Sequence, residues 1–360
     1  MVFPGYRVND KLRSEEEKGD FMKKTRFGLL LIALLVVSLA FTACGGNGAD
    51  APADENGEAE APAAGTQELL YATGGTAGTY YPLGGAMASV WNDHIDAINV
   101  TIQPSGASVE NLRLLDTRDA DIVMAMNNIA EDAWHGEGSF EGTEVQGFRA
   151  VGVVYPEIIQ GVGLVESGVY TIEDQAGKTV AGGPPGSGTA ATTPHIFAAH
   201  GLTEDDMTVV NDTFGDAVDK MKDGHVDAAW NVLGAPASAI VDLLTVREVA
   251  FLEITGEELE TLQEEFPLIA PWVIPAGTYN YRGEDYDDIH TIALQAVLYV
   301  RDDLDDDIAY DLARIMYEHN DQIAASHATG EQILLENALN GITTEFHPGA
   351  IRYYEEQGMM

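Results

Sequence analysis

Two glycine-rich stretches carry the residues best suited to chemistry. Thr73-Gly74-Gly75-Thr76-Ala77-Gly78-Thr79 and Gly182-Gly183-Pro184-Pro185-Gly186-Ser187-Gly188-Thr189 each follow a short apolar run and precede a helical pattern. A glycine loop between a strand and a helix leaves backbone N–H groups pointing at one spot, and the helix N-terminus adds partial positive charge. Together they hold a carboxylate or a phosphate without a lysine or arginine. The hydroxyls of Thr76, Thr79, Ser187 and Thr189 add donors, and Ser105-Gly106-Ala107-Ser108 is a third turn of the same kind. Any one of these loops reads equally well as a tight turn. Three of them make convergence on one cleft the better explanation.

Other chemistries fit less well. Gly183 to Gly188 has the two-glycine spacing of a nucleotide-binding P-loop, but Thr189 stands where its lysine belongs. Asp303, Asp305 and Asp307 match the first half of a calcium loop. Ile308 then replaces the glycine and Arg314 the closing glutamate, so a solvated helix start is expected instead. None of the nine histidines forms a zinc-protease motif, and no nucleophile-elbow serine is present. No metal, cofactor or catalytic residue is expected. An extracellular hydrolase with dispersed residues and a ligand-binding sensor module stay open as rivals. A net charge of −41 argues against nucleic acid as a partner. It also suggests a surface suited to high salt, where self-repulsion is screened.

The elements that must position the loops alternate. Apolar runs at Leu69–Ala72, Val100–Gln103, Asp121–Met126 and Lys178–Ala181 precede helical patterns at Pro82–Trp91, at Val109–Leu115, after Asn128 and up to His200. This predicts α/β architecture with largely parallel strands. The two glycine loops each open a sheet, which predicts two lobes facing one cleft. Lobe 1 is expected over residues 68–154 plus 250–358 and lobe 2 over 155–249, with crossings near Val154-Tyr155-Pro156 and Val249–Phe251. From Glu257 onward helices are expected, at Ile289–Val300, Ile308–Ile323 and Glu331–Ala338.

The N-terminus reads as an address. Lys23, Lys24 and Arg26 precede the apolar run Leu29–Phe41, which falls short of the ~20 residues a spanning helix needs. Thr42, Ala43 and Cys44 follow. A basic start, an apolar middle and a small-residue end make an export signal, with an uncleaved anchor helix as the alternative. Leu39 to Cys44 resembles a bacterial lipobox, which implies lipid on Cys44. The expected order is an upstream extension at 1–21, a signal peptide at 22–43 and a flexible tether at 44–67.

From about Leu69 to Gly358 the chain resembles the TAXI family, solute-binding subunits of tripartite ATP-independent periplasmic (TRAP) transporters. The resemblance rests on Thr73–Pro82, Ser108–Arg113, Tyr155-Pro156-Glu157, Gly186–Thr189 and Phe346–Ile351, in that order. It implies a type II periplasmic-binding-protein clamshell, each lobe a mixed sheet flanked by helices, and no catalysis. It also implies a small carboxylate or amino-acid ligand, such as glutamate or 2-oxoglutarate, handed to TRAP membrane subunits outside the cytoplasm. Where the family often carries Gln-Ser-Asp after the third strand, this chain has Met126-Asn127-Asn128. The residues expected around the ligand are Thr76, Tyr80, Ser108, Asn111, Asn127, Gly186, Ser187, Gly188, Thr189 and Trp230. The tryptophan resembles the family's aromatic position at that strand end.

Overall fold

A computed structural model describes residues 65–360. The expected export signal, Cys44 and the expected tether up to residue 64 lie outside the described residues.

The order begins β1 (Gln67–Ala72), α1 (Tyr80–His94), β2 (Ile98–Gln103), α2 (Ser108–Asp116), β3 (Ile122–Met126), α3 (Asn127–His135) and the long β4 (Phe148–Leu164). It continues with β5 (Thr179–Ala181), α4 (Gly188–Ala199), β6 (Thr208–Val210), α5 (Phe214–Lys222), β7 (Ala228–Leu233), α6 (Ser238–Leu244), β8 (Val249–Leu252) and α7 (Gly256–Glu265). Then come β9 (Ala270–Ile274), the hairpin β10 (Asn280–Tyr281) and β11 (Glu284–Asp285), and β12 (Ile289–Arg301). The helices α8 (Asp306–Glu318), α9 (Asn320–Ser326) and α10 (Pro348–Glu356) complete it.

The fold is α/β, a mixed sheet flanked by helices. Hydrogen bonds order the strands β2-β1-β3-β12-β4-β7-β5-β6, with β8 beside β4 and β9 beside β12. The strands β1, β2 and β3 are parallel, as are β5, β6 and β7. Between these two parallel sets run β4 and β12, antiparallel to each other and to their outer neighbours. The sheet therefore has two halves, each built from strand–loop–helix units and stitched to the other by two long strands. One buried cluster, with Tyr71, Trp91, Met124 and Leu312, lies in the first half and another, with Leu164, Ala181, Ile240 and Ile289, in the second, while a third runs through both, from Leu112 and Val123 to Phe197 and Trp230. Strands covered by helices on both faces must be apolar throughout, and all five residues of β3 are buried.

Three expectations are corrected. Ile289–Val300 is not an amphipathic helix but most of the central strand β12, with nearly every side chain buried. A continuous apolar run fits either state by periodicity, and here its β-branched content and burial on both faces decide for a strand. Glu331–Ala338 falls into two short 3-10 turns rather than a helix. Residues 250–292, expected with the first lobe, pack with the second half. There β8 pairs with Gly161–Leu164 of β4, α7 packs on α4, and Tyr279 joins the core of Leu164. The chain returns to the first half through β12.

Candidate functional site

In both halves each parallel strand is followed by a helix. Ligands of open α/β sheets bind at such strand ends. Four loops meet there: 73–79 after β1, 104–107 after β2, 182–187 after β5 and 211–213 after β6.

The first loop is pinned to the second. Thr73 Oγ1 donates to the Gln103 carbonyl at 2.8 Å. Asn111 Nδ2 donates to the carbonyls of Thr73 and Met124, each at 2.7 Å, and its Oδ1 accepts from Ser105 Oγ at 2.6 Å. Asn111 thus joins β1, β3 and the second loop, and it is fully buried. Ala107 adopts a positive φ of 75°, rare for a residue with a Cβ. This turns the chain so that α2 starts at the cleft, with Ser108 Oγ accepting from the Met126 N–H at 3.1 Å.

The third loop builds the opposing wall. Gly183 and Gly186 sit at φ 104° and 80°, which explains glycine at both. Ser187 caps α4: its Oγ accepts from the Ala190 N–H at 3.0 Å and donates to the Pro184 carbonyl at 2.7 Å. The N–H groups of Gly188 and Thr189 fall in the first turn, where no intrahelical acceptor exists.

The two halves touch across this site. The Gly186 carbonyl accepts from the N–H groups of Val109 and Glu110 at 3.0 and 3.1 Å. Thr79 Oγ1 accepts from the Gly234 N–H at 3.2 Å. A Cβ at Gly188 would meet Met126 Cγ and Ser108 Oγ at 3.1 Å each, and the Met126 sulfur closer still. The halves are closed on each other.

Between them lies an inner chamber of about 30 Å³, walled by Tyr80, Ser108, Met126, Tyr155, Glu157 and the start of α4. It opens toward a vestibule of about 320 Å³ that Thr76, Gly106, Pro185 and Phe214 help to line. One water needs ~10–15 Å³ on this measure, so the chamber takes a small polar head and the vestibule the rest of a solute. Among the described residues no lysine, arginine or histidine lines either space. Among the described residues no group of three or more histidine, cysteine or carboxylate side chains could hold a metal.

The one ionisable group below the tyrosine range is Glu157, near the middle of β4 and only 3% exposed. Tyr80 donates its hydroxyl to Oε2 at 2.8 Å and Tyr155 donates to Oε1 at 3.4 Å. Burial pushes the Glu157 carboxyl up to about 8, against two tyrosine hydrogen bonds that pull it down. Both tyrosines are pushed up in turn, first by burial and then by the Glu157 charge.

Of the residues expected at the ligand, Tyr80, Ser108, Ser187, Gly188 and Thr189 line the chamber, and Thr76 and Ser187 line the vestibule. Gly186 forms the contact between halves. Three do other work. Asn111 ties strands as described. Asn127 Nδ2 donates to the Gly341 carbonyl at 2.9 Å and its Oδ1 accepts from the Gln295 N–H at 3.0 Å, fastening α3 to β12. Trp230 is core: Nε1 donates to Gln175 Oε1 at 2.9 Å, and the indole lies over Gly161, where a Cβ would approach to 2.8 Å. Glu157, Tyr155 and Phe214 were not expected. The signal for Glu157 was available, since a lone carboxyl inside the apolar run Ala150–Leu164 is costly unless it has a purpose.

The sequence profile of the NMT1-like family matches residues 71–358. Among solved structures, a protein of Bordetella bronchiseptica RB50 is 16% identical, with 81% of this chain and 98% of that one covered and a TM-score of 0.51. The alkanesulfonate-binding protein SsuA of Xanthomonas axonopodis pv. citri, bound to MOPS, is 14% identical (81% and 85% covered, TM-score 0.45). A binding protein component of an ABC phosphonate transporter from Pseudomonas aeruginosa is 12% identical (75% and 80% covered, TM-score 0.45).

Proposed function

This chain belongs to the NMT1-like family, and on that premise we propose that it is an extracytoplasmic solute receptor. It holds a small carboxylate between its two halves and delivers it to the membrane subunits of a transporter. The observation that carries this reading is the chamber itself. Its walls come from both halves, so a solute there contacts both at once. A ligand of that kind binds the closed form better and shifts the population toward it. Hinging falls to β4 and β12, the strands that join the parallel sets. Closure then reports occupancy to a membrane partner by shape.

The carboxylate is received by the first turn of α4 with the hydroxyls of Ser108 and Thr189, in keeping with a chamber that has no basic side chain. The motifs shared with the TAXI family supply most of these residues, which supports a TRAP partner driven by an ion gradient. Lipid on Cys44 would hold the receptor at the membrane. Among the described residues Tyr80 and Glu157 are the one pair in the chamber at nucleophile–base distance, and burial raises the tyrosine well above its ordinary value, which supports binding rather than turnover.

Native mass spectrometry of protein purified without refolding tests the reading. A co-purified organic acid, returned unchanged on release, is the expected result, together with compaction in solution scattering when that acid is added back. Chemical conversion of the acid, or binding without compaction, overturns it. Uptake by vesicles that carry an ion gradient but no ATP, dependent on this protein, tests the TRAP partner.

A further inference from the structure

The chamber pairs an anion-binding wall with a carboxyl group. A second carboxylate on the solute would be pressed toward the buried Glu157, where like charges disfavour each other's ionised form. Among the described residues Glu157 has no cationic partner. The groups facing it are Tyr80 from α1 and Tyr155 on its own strand, and the segments from α2, α4, α5 and β7 that line the chamber present no charged side chain. The two tyrosine hydrogen bonds use two of the roughly four acceptor positions on a carboxylate. The bond to Oε1, at 3.4 Å, is long. One face of the group is therefore open to a donor that also brings positive charge.

We infer that Glu157 is the seat for an ammonium group on the solute, so that the receptor takes free amino acids and selects against the same acids without the amine. This deepens the receptor reading and rests on it. The tyrosines fix the carboxyl group, the α4 wall takes the solute carboxylate, and the side chain of the amino acid extends to the vestibule. The charge balance has a further consequence. In the solute-free protein burial favours the protonated carboxyl. When the ammonium arrives, the ion pair favours the carboxylate, and the proton leaves to the buffer. Binding of an amino acid should release close to one proton, whereas binding of a plain carboxylate should release none.

The test is titration calorimetry at pH 7 with matched pairs, L-glutamate with glutarate and L-leucine with isocaproate, in two buffers of different ionisation enthalpy. In the wild type the amino acid of the better-bound pair should bind about 10–100-fold more tightly than its partner, the range of a charge-assisted hydrogen bond. It should also release a proton. In Glu157→Gln the ratio should fall toward one and the proton release should vanish. Tyr80→Phe, which removes one bond to the carboxyl and keeps the ring, should lower the ratio by a smaller factor. If Glu157→Gln does not fold, the wild type and Tyr80→Phe decide: an amine preference that falls in Tyr80→Phe supports the inference, and one that Tyr80→Phe leaves unchanged overturns it. Equal affinity within each pair, or a ratio that survives Glu157→Gln, overturns the inference and leaves the receptor intact. No binding by any member of either pair, with no co-purified acid, refutes the receptor reading and this inference with it.

Discussion

Gly188 offers the sharpest test of closure. It opens α4, and its Cα faces the first half across the cleft. A Cβ there would stand 3.1 Å from Met126 Cγ and from Ser108 Oγ, and nearer still to the Met126 sulfur. Met126 is 1% exposed and has little room to retreat. Its backbone N–H is held by Ser108 Oγ, so the obstruction is backed by a fixed turn. Overpacking by one methyl in such a place costs about 1–3 kcal/mol. The φ of Gly188 lies outside the left-handed region, so alanine fits the helix start itself without strain. The penalty therefore falls on the closed form alone. Gly188→Ala should weaken solute binding by about 5–150-fold, the equivalent of that energy. The melting temperature of the solute-free protein should hold or rise, because alanine restricts the unfolded chain. Calorimetric titration with the co-purified solute, paired with thermal melts, separates the two effects. Affinity within twofold of wild type would mean that the halves do not meet here when solute is bound. An equal loss of affinity and of stability would mean that Gly188 and Met126 belong to one rigid core, and the clamshell argument would fail.

Three further outcomes are expected. Trp230→Phe should lower stability by about 1–3 kcal/mol, from lost packing and an orphaned Gln175 Oε1, with solute affinity unchanged; a large loss of affinity would return the tryptophan to the site. Glu157 has a folded-state value raised from 4.5 to about 8, so its contribution to stability is fully present below pH 4.5 and is lost as pH rises through 8. That loss is on the order of 5 kcal/mol at most, and Glu157→Gln should flatten the wild type's fall in melting temperature between pH 5 and pH 9; parallel curves would refute the burial argument. Cys44→Ala should yield protein without lipid in the soluble fraction, read by intact mass and fractionation, and an unmodified Cys44 in the wild type would refute the lipobox reading.

What was legible in the sequence is what local chemistry controls. A left-handed glycine, a serine cap and a strand–turn–helix passage announce themselves over a few residues, so the 182–189 loop and the Ser108 turn could be found before any coordinates. Asn111, Asn127 and Trp230 could not be assigned that way. Each is a polar or aromatic side chain at a strand or helix end, and whether it faces solute or ties the scaffold depends on which distant backbone groups lack partners. For Asn111 those are the carbonyls of Thr73 and Met124, and for Trp230 the partner is Gln175, far away in sequence. The same blindness hid the strand character of Ile289–Arg301, because a segment buried on every side shows no polar face to reveal its period. Glu157 is the opposite case. Its burial could be read from the apolar residues around it, and a buried carboxyl without a base nearby in sequence already poses the question of what balances its charge. The structure narrows that question, since the lining of the chamber offers two tyrosine hydroxyls and no cation. Protonated, that carboxyl could donate to an anion; a zwitterion instead uses it as an acceptor and displaces its proton. A receptor for a zwitterion needs an acceptor for the positive end as much as helix N-termini for the negative end, and the two stand on facing walls of one small chamber.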